Sequence, residues 1–421
     1  MSGAVKSNVF GSSGTVAAAA GGLKWESVVT ASTVTVESNR GYFINTTSNA
    51  CTVTLPASPD VGDQVILLDY ARTWDTNAIT IDSNGNDFQN QADTYTVDYD
   101  TEGQGINIVF SGSTNGWIPN SDIANALTPV APPTQKGIFA YGNASGAVSM
   151  SNLVSSSGVV ASDVSGVGTA RWAGSAASYG GDKAIFAYGT TGSYISLSNL
   201  VNNSGVIAAD VTGVGTARRD LAAATYGNDK AIFGYGEGGS DSSLTNLVSN
   251  SGVVAADTTG VGTARTALAA ASYGSTGQAL FAYGATGSTT NVSLKNLVSN
   301  TGVVAADVTG VGSARRYLAA SSYGGDKAIF GYGATNNSVS LTNLVNNVGT
   351  IAADVSGVGT ARVGIAACAY GGDKGIFGYG NTGSLVSMTN LVNNSGVVGS
   401  DVTGVGTARQ IASATGYSIT A

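Results

Sequence analysis

Histidine is missing from the 421 residues, and only 10% of them are charged. Without histidine the chain can form neither a Ser-His-Asp nor a Cys-His nucleophile, nor a histidine-ligated metal site. The net charge is −8 and the basic residues are scattered, which argues against nucleic acid or an anionic membrane as the partner. No run of about 18 apolar residues occurs. The stretch "TVAAAAGGL" is too short and glycine-broken for a secretion signal, so we expect a soluble chain without membrane insertion.

Cysteine is scarce as well. Cys51 and Cys368 lie in different segments, and Cys368 occupies a position where other copies of an internal repeat have alanine or serine. We interpret both as small buried residues, with a disulfide as the alternative.

What the chain has in quantity is glycine, 60 residues, together with 43% hydrophobic residues. Glycine at this level, with abundant Ser, Thr and Asn, is typical of many short strands joined by tight turns. The length allows two or three domains. We therefore predict an all-β protein.

A nine-residue phrase, "DVTGVGTAR" in its last copy, occurs six times. Its final arginines follow one another at 47, 47, 50, 47 and 47 residues. A period of this size, punctuated by glycine, indicates propeller blades or solenoid rungs. Each copy contains four short segments between turn residues, which predicts a four-stranded blade. Alanine-rich "LAAAS" segments are too short for helices between glycine turns, and we predict that they form the innermost strands.

The ends of the repeats favour a ring. The first copy, from "KGIFAYG" at 136–142, lacks the segment that follows the arginine elsewhere, and "ARQIASATGYSITA" at 408–421 supplies it. We predict a six-bladed β-propeller closed by the C-terminal strand, with a β-solenoid as the alternative. The run "AIFGYG" at 328–333 resembles the second strand of kelch-type propellers, which implies the same blade arrangement.

An aspartate precedes each repeat arginine by eight residues. Regularly placed opposite charges are typical of a structural network, in which Asp and Arg satisfy turn backbone groups or one another. A calcium ring or catalytic carboxylates are the alternatives, but sixfold repetition argues against a catalytic centre. We therefore expect no catalytic residue, metal or cofactor. The structural residues are Asp163, Arg171, Asp210, Arg218, Asp257, Arg265, Asp307, Arg315, Asp354, Arg362, Asp401 and Arg409.

The copies vary in two places, the loop after each "YG" and the residue after each arginine. Both places emerge at the same face of a four-stranded blade, and variable loops on a rigid scaffold are the usual arrangement for recognition. Drift of exposed loops is the alternative. Aromatic rings stack on sugars and arginines bind acidic groups. The candidate receptor-binding residues are Trp172, Tyr194, Arg219, Glu237, Asp241, Arg316, Tyr317 and Gln410.

The front of the chain has no 47-residue period. Alternating runs "TVTL" (52–55), "AITI" (78–81) and "INIVF" (106–110) predict strands, and Asn-Gly pairs at 84–85 and 115–116 predict hairpin turns. We predict a small β-sandwich or barrel at 24–119, a proline-containing linker at 120–135 and the repeats at 136–421. We predict that residues 1–23 form a separate tail.

The pieces "GAVKSNVFGSSG" (3–14), "TTSNACTVTLPASPDVGDQVILLDYARTWDTNAITI" (46–81) and "GQGINIVFSGSTNGWIP" (103–119) resemble the N-terminal module of tail-fibre and related virion proteins of marine bacteriophages. The resemblance implies docking to other virion proteins through residues 1–120, with 1–23 as the docking tail. It also implies a homotrimer and a location on the virion surface.

These observations predict a non-enzymatic phage appendage, a tail-fibre-like protein whose propeller recognises a host-surface glycan or protein. A capsid fibre or decoration protein of the phage head is one alternative. A polysaccharide depolymerase is the other.

Overall fold

The computed structural model describes residues 23–93, 97–121, 134–287 and 289–421. Contacts divide the chain into an N-terminal unit, residues 1–131, and a repeat unit, residues 132–421. All of the regular structure in the described ranges is β-strand, as the composition predicts. None of the described segments is a helix that is long and apolar enough to cross a membrane. The predicted docking tail, apart from Leu23, and residues 122–133 of the predicted linker lie outside the described residues.

The described part of the N-terminal unit has nine strands in two sheets. The strands are β1 (Lys24–Trp25), β2 (Thr33–Thr35), β3 (Arg40–Ile44), β4 (Cys51–Thr54), β5 (Gln64–Asp69), β6 (Ile79–Asp82), β7 (Val97–Tyr99), β8 (Gly105–Phe110) and β9 (Trp117–Ser121). One sheet has the order β1-β3-β5-β8-β9 and the other the order β2-β4-β6-β7. Alternate residues of β4, β6 and β8 are buried, and both sheets contribute to one hydrophobic core.

Pairing within this unit differs from the predicted hairpins. The chain passes back and forth between the two sheets, and β1-β3, β3-β5, β2-β4 and β4-β6 are parallel pairs. Asn115-Gly116 does join the antiparallel pair β8-β9. Asn84-Gly85 is not a two-residue hairpin, because β7 begins only at Val97. Parallel strands need a crossover connection, and here a strand of the opposite sheet provides it.

Residues 134–287 and 289–421 of the repeat unit contain six three-stranded sheets, each with a first, a middle and a third strand. The first strands are β12 (Ser175–Tyr179), β15 (Ala222–Tyr226), β18 (Ala269–Tyr273), β23 (Ala319–Tyr323), β26 (Ala366–Tyr370) and β29 (Ser413–Tyr417). The middle strands are β10 (Lys136–Ala140), β13 (Lys183–Thr190), β16 (Lys230–Gly234), β19 (Gln278–Ala282), β24 (Lys327–Gly331) and β27 (Lys374–Gly378). The third strands are β11 (Ser151–Val154), β14 (Tyr194–Val201), β17 (Thr245–Val248), β22 (Lys295–Val298), β25 (Thr342–Val345) and β28 (Thr389–Val392). A small hairpin, β20 (Ala285–Thr286) and β21 (Thr290–Asn291), lies in the lengthened copy.

The fourth segment of each repeat is not a regular strand, in contrast to the predicted four-stranded blade. It meets the third strand at two isolated bridges, for example Val154 with Val160 and Ser151 with Val164. Between these bridges the Asn152 side chain donates a hydrogen bond to the Ala161 carbonyl at 3.0 Å. The buried amide thus occupies a place in the ladder that a backbone donor would fill in a regular strand.

The alanine-rich segments form the first strands of the sheets, as predicted. Each contacts the first strands of the two neighbouring sheets, and β29 contacts both β26 and β12, so the contacts return to the first sheet. Six hydrophobic clusters each join two neighbouring sheets. The C-terminal strand β29 pairs antiparallel with β10, the first strand of the repeat region in the sequence, from Lys136–Tyr417 to Ala140–Ser413. Alanine and serine allow the six first strands to approach closely.

Candidate functional site

The two variable sets of residues meet in every repeat. The residue after each arginine forms an antiparallel bridge with the first residue of the loop that follows "YG". The six bridges are Trp172–Thr190, Arg219–Glu237, Thr266–Ala285, Arg316–Ala334, Val363–Asn381 and Gln410–Asn143. We call the end of the repeat unit that carries these bridges the loop end.

Four of the candidate receptor-binding residues form one cluster at the loop end. Arg219 donates two hydrogen bonds to Glu237 Oε2, from Nε at 3.2 Å and from Nη2 at 3.1 Å. Tyr194 donates its hydroxyl to Glu237 Oε1 at 2.8 Å, and this hydrogen bond raises the pKa of Tyr194. The Arg219 guanidinium lies 5.6 Å from the ring centroids of Trp172 and Tyr194. The cluster therefore presents two aromatic rings held around an internally paired arginine.

The other four candidates have separate partners. Arg316 lies 5.9 Å from the ring centroid of Tyr317. Asp241 Oδ2 accepts the Gly287 N–H at 2.7 Å, and Gln410 Oε1 accepts the Asn381 Nδ2–H at 3.1 Å. Asp241 and Gln410 thus have partners within the loop end.

One residue further along, six backbone positions form a closed ring of hydrogen bonds. The N–H of each residue donates to the carbonyl of the equivalent residue in the preceding repeat, at 2.6–3.2 Å, and the N–H of Ala173 completes the ring at Ile411. All six have a left-handed backbone, with φ between 50° and 61°. The residues of this axial ring are Ala173, Asp220, Ala267, Tyr317, Gly364 and Ile411.

The axial ring opens on a cavity of about 120 Å³ between the six first strands. Most residues around it are small or aliphatic, and Asp220 is the acid among them. Burial raises the pKa of Asp220 to about 7, although the Arg219 guanidinium opposes the shift. Asp220 and Glu237 both act on Tyr317, whose pKa is raised by burial and then by these carboxylates.

Asp220 is not among the residues predicted from the sequence. Its signal was nevertheless present, since the position two residues after each arginine has Ala, Asp, Ala, Tyr, Gly and Ile in the six copies. Asp220 is the acidic residue at a position where the other copies have apolar residues or tyrosine, and this difference was visible in the sequence. That the position lies on the axis depends on the backbone ring, which no sequence pattern specifies.

The repeat arginines lie deep inside the unit, each nearly or fully buried. Arg265 donates to the Tyr283 carbonyl at 2.9 Å and to Asn296 Oδ1 at 2.8 Å, and its guanidinium lies 4.2 Å from the Tyr235 ring centroid. Since Tyr235 belongs to one sheet and Tyr283 and Asn296 to the next, each arginine links two repeats. All six arginines have such a tyrosine, at 4.0–4.5 Å.

Each repeat aspartate faces the preceding repeat. Asp257 accepts hydrogen bonds from the Thr216 hydroxyl at 2.6 Å and from Asn246 Nδ2 at 2.9 Å, and it lies 3.8 Å from Arg218. Its arginine is thus Arg218, not Arg265 eight residues downstream, whose carboxylate is Asp307 at 4.0 Å. Burial opposes ionisation of these aspartates, but the hydrogen bonds prevail and lower the pKa of Asp257.

The same contacts join the last repeat to the first. Asp163 accepts the Thr407 hydroxyl at 2.6 Å, and Arg409 donates to Asn152 Oδ1 at 2.8 Å. The ring of Tyr379 meets Phe139 edge-on at 5.1 Å, matching five other Tyr–Phe pairs between neighbouring sheets. The contacts at this junction are of the same kind as those between the other repeats.

Within the described residues, no three His, Cys, Asp or Glu side chains come together in a way that could hold a metal ion. Cys51 and Cys368 are buried free thiols, one in each unit. A comparison with protein-family models found no match, and a comparison with curated proteins found none either.

Proposed function

We propose that the repeat unit is a six-bladed β-propeller closed by its C-terminal strand. The cycle of first-strand contacts supports this architecture, and so does the ring of axial hydrogen bonds. A solenoid predicts no contact between the first and last repeats, whereas β10 and β29 are paired here. In this proposal the three regular strands and the bridged fourth segment together make one blade.

We further propose that the chain is a non-enzymatic structural protein of a bacteriophage virion, which displays the propeller for recognition of the host surface. The observation that carries the proposal is the division of the repeat unit into a constant interior and a variable end. The buried Arg, Asn and Tyr side chains are the same in all copies, while the residues that differ are paired at the loop end. A rigid scaffold with variable side chains at one end suits binding of a specific surface.

The cluster of Trp172, Tyr194, Arg219 and Glu237 supports a glycan as the target. Aromatic faces pack on the apolar faces of sugar rings, and a fixed Arg–Glu pair offers both donors and acceptors to sugar hydroxyls. The pair is held before any ligand arrives, so little side-chain entropy is lost on binding.

Attachment to the virion is proposed for residues 1–120, on the basis of their resemblance to phage virion proteins. The N-terminal unit has an exposed aromatic group that suits such a contact. Trp25 is 42% exposed and stacks on Phe43 at 4.7 Å, and Tyr70 is 55% exposed and meets the same ring at 6.3 Å. Contiguous exposed aromatic surface is typical of protein–protein contacts. The same proposal includes a homotrimer formed through this unit. The attachment point is either the phage tail or the phage head.

Exchange of the loop-end residues tests the display function. Replacing 190–194, 237–241 and 334–338 with a neutral glycine-serine loop is expected to lower thermal melting only modestly, because these residues lie at strand ends and outside the hydrophobic clusters between the sheets. The same change should reduce adsorption of particles to host cells, with Trp172, Arg219 and Arg316 substitutions adding to the loss.

Matched changes in the uniform turn at 325–327, at the opposite ends of the strands, are the control. If these changes reduced adsorption while the loop exchange did not, the direction of display would be reversed. If neither change mattered, host recognition by the repeat unit would be refuted.

A depolymerase is the second candidate, because two carboxyls flank one arginine at the loop end. Arg219 lies 3.5 Å from Asp220 Oδ2 and 3.1 Å from Glu237 Oε2. Glycosidases use a pair of carboxyl groups, one of them protonated. Release of reducing ends from host polysaccharide, abolished by Asp220→Asn and by Glu237→Gln, would establish the enzyme in place of the binder.

A further inference from the structure

The mouth of the axial cavity is built from residues of alternating size. Around the axial ring, Ala173, Ala267 and Gly364 alternate with Asp220, Tyr317 and Ile411. A Cβ on Gly364 would approach Ile411 Cγ1 to 3.0 Å, so the small positions make room for their larger neighbours. The mouth therefore brings together one carboxyl, one phenol and one aliphatic side chain.

Asp220 is buried at this mouth without a hydrogen bond to its carboxyl. The residue is 7% exposed and lines the cavity. Its contact with Arg219 Nε, at 3.5 Å, is too long for a charge-assisted hydrogen bond, and no other described residue donates to the carboxyl. Buried carboxyls normally have hydrogen-bond partners, because leaving one without them costs free energy. An incoming donor would satisfy this group.

The cavity has room for such a donor. Its volume of about 120 Å³ is several times what one water needs, and it extends along the first strands from Asp220 toward Ala223. Its walls are mostly alanine and leucine, but the larger part of the surface that they expose to the cavity is polar. A ligand with several hydroxyls therefore meets further hydrogen-bonding groups beside Asp220.

The charges at the mouth favour a neutral ligand. Asp220, Glu237, Arg219 and Arg316 all act on Tyr317, and the two carboxylates balance the two guanidinium groups. Asp241 is already occupied by the Gly287 N–H. The Asp220 carboxylate would repel an anion, and the Arg219 guanidinium would repel a cation. A neutral group with several hydroxyls can donate hydrogen bonds to Asp220 without disturbing the Arg219–Glu237 pair.

We propose that the axial mouth binds a terminal neutral sugar, with Asp220 accepting hydrogen bonds from its hydroxyl groups. Tyr317 and Ile411 supply the apolar contact for the ring carbons, and the small Ala267 leaves the entrance open between Asp220 and Tyr317. This inference rests on the proposed glycan recognition. It specifies that the sugar is held on the axis, in addition to the rings of Trp172 and Tyr194.

The test uses the full chain and methyl glycosides of common neutral hexoses, measured by saturation-transfer NMR and calorimetry at pH 8. At least one glycoside is expected to bind. Asp220→Asn should weaken that binding by at least about fivefold, since a hydrogen bond to a charged group is stronger than one to an amide. Ala267→Leu, which leaves Asp220 intact but fills the entrance, should weaken it as strongly. Asp229→Asn, in a turn at the opposite strand ends, is the matched control and should bind as the unchanged chain does.

Equal affinity of the unchanged chain and both mouth variants would overturn the axial site, as would binding of none of the glycosides. Thermal melting of each variant separates loss of binding from loss of fold. Adsorption of the same variants to host cells separates this inference from the proposed function. If mouth variants adsorb normally and loop exchange abolishes adsorption, the axial site is wrong and the display function stands. If particles that carry the unchanged chain do not adsorb to host cells, both the axial site and the display function are refuted.

Discussion

At the scale of single residues, Asp220 is the position where the repeat unit departs from the chemistry that its six copies share. The other axial positions are apolar or aromatic, and they place no charge on the axis. A buried carboxyl whose arginine partner lies as far away as 3.5 Å is costly for a scaffold, which suggests retention for binding and not for stability.

The stability of the repeat unit is expected to depend on pH through Asp220. Burial raises its pKa to about 7, while an aspartate in an unfolded chain titrates near 3.9. The folded state holds this proton more tightly, so the contribution to the free energy of unfolding is fully present below about pH 4 and is lost as the pH rises to 7. Asp220→Asn should therefore raise the melting temperature more at pH 8 than at pH 4.5, by an amount corresponding to about 1.4 kcal/mol per pKa unit. An equal change at both pH values in differential scanning calorimetry would contradict the shift.

The contact between neighbouring repeats can be tested with a double-mutant cycle. Asp257→Ala and Arg218→Ala should each destabilise, and the double variant should lose less than the sum, with a coupling on the order of 0.5–3 kcal/mol in urea unfolding. Asp257 and Arg218 share Asn246 as a hydrogen-bond partner. Its side chain donates to Asp257 at 2.9 Å and accepts from Arg218 at 2.7 Å.

Arg265→Ala is the control for this cycle, because its carboxylate is Asp307. Combined with Asp257→Ala, it should be additive within roughly 0.5 kcal/mol. Stronger coupling of Asp257 to Arg265 than to Arg218 would mean that the network runs within repeats and not between them.

At the scale of strands, the repeat region was the more predictable part. Six internal copies identified the alanine-rich first strands, and the displaced copy at 408–421 indicated the pairing of β29 with β10. The irregular fourth segment was not predicted, because a buried asparagine such as Asn152 replaces a ladder hydrogen bond without changing the apolar pattern. The direction of the Asp–Arg contacts was also missed, because the eight-residue spacing from Asp257 to Arg265 recurs in every copy, whichever arginine the aspartate contacts.

The N-terminal unit was predicted less completely. Alternation located β4, β6 and β8, but it says nothing about which strands pair. In parallel pairs such as β3-β5, the two strands are separated in the sequence by a strand of the other sheet. No turn residues in the sequence indicate that such strands pair. At the loop end, the meeting of the two variable sets could be predicted from the geometry of a blade. The Arg219–Glu237–Tyr194 cluster could not, because it depends on the directions of the side chains.

Removal of residues 410–421 should destabilise the repeat unit strongly. It deletes β29, leaves one edge of β10 without its backbone partners and removes Ile411 from the axial ring. Thermal melting is the measurement, and deletion of the exposed Thr420 and Ala421 is the control. An unchanged melting curve for the longer deletion would refute ring closure and favour a solenoid.

At the scale of the whole molecule, the chain divides into two units with separate cores. The N-terminal unit has its own core, from Val36 to Trp117, and the repeat unit has six clusters between its sheets. Each unit can thus be altered without removing the core of the other. In the proposed virion protein this separation allows attachment and recognition to be tested independently.

Deletion of residues 1–22 is expected to abolish incorporation into particles while leaving a folded protein. The stretch is rich in glycine, serine and alanine, and it lacks the apolar periodicity that would support a core. The proposed function gives this stretch the docking role, so its loss should act on assembly and not on melting. The measurement is the amount of the protein in purified particles, with melting of the free protein alongside. A glycine-serine segment of equal length in place of residues 1–22 controls for length and should fail to incorporate as well. Incorporation of the deleted chain at the normal level would show that docking does not need this segment and would place attachment in the described N-terminal unit, where the exposed Trp25 and Tyr70 are the next residues to substitute.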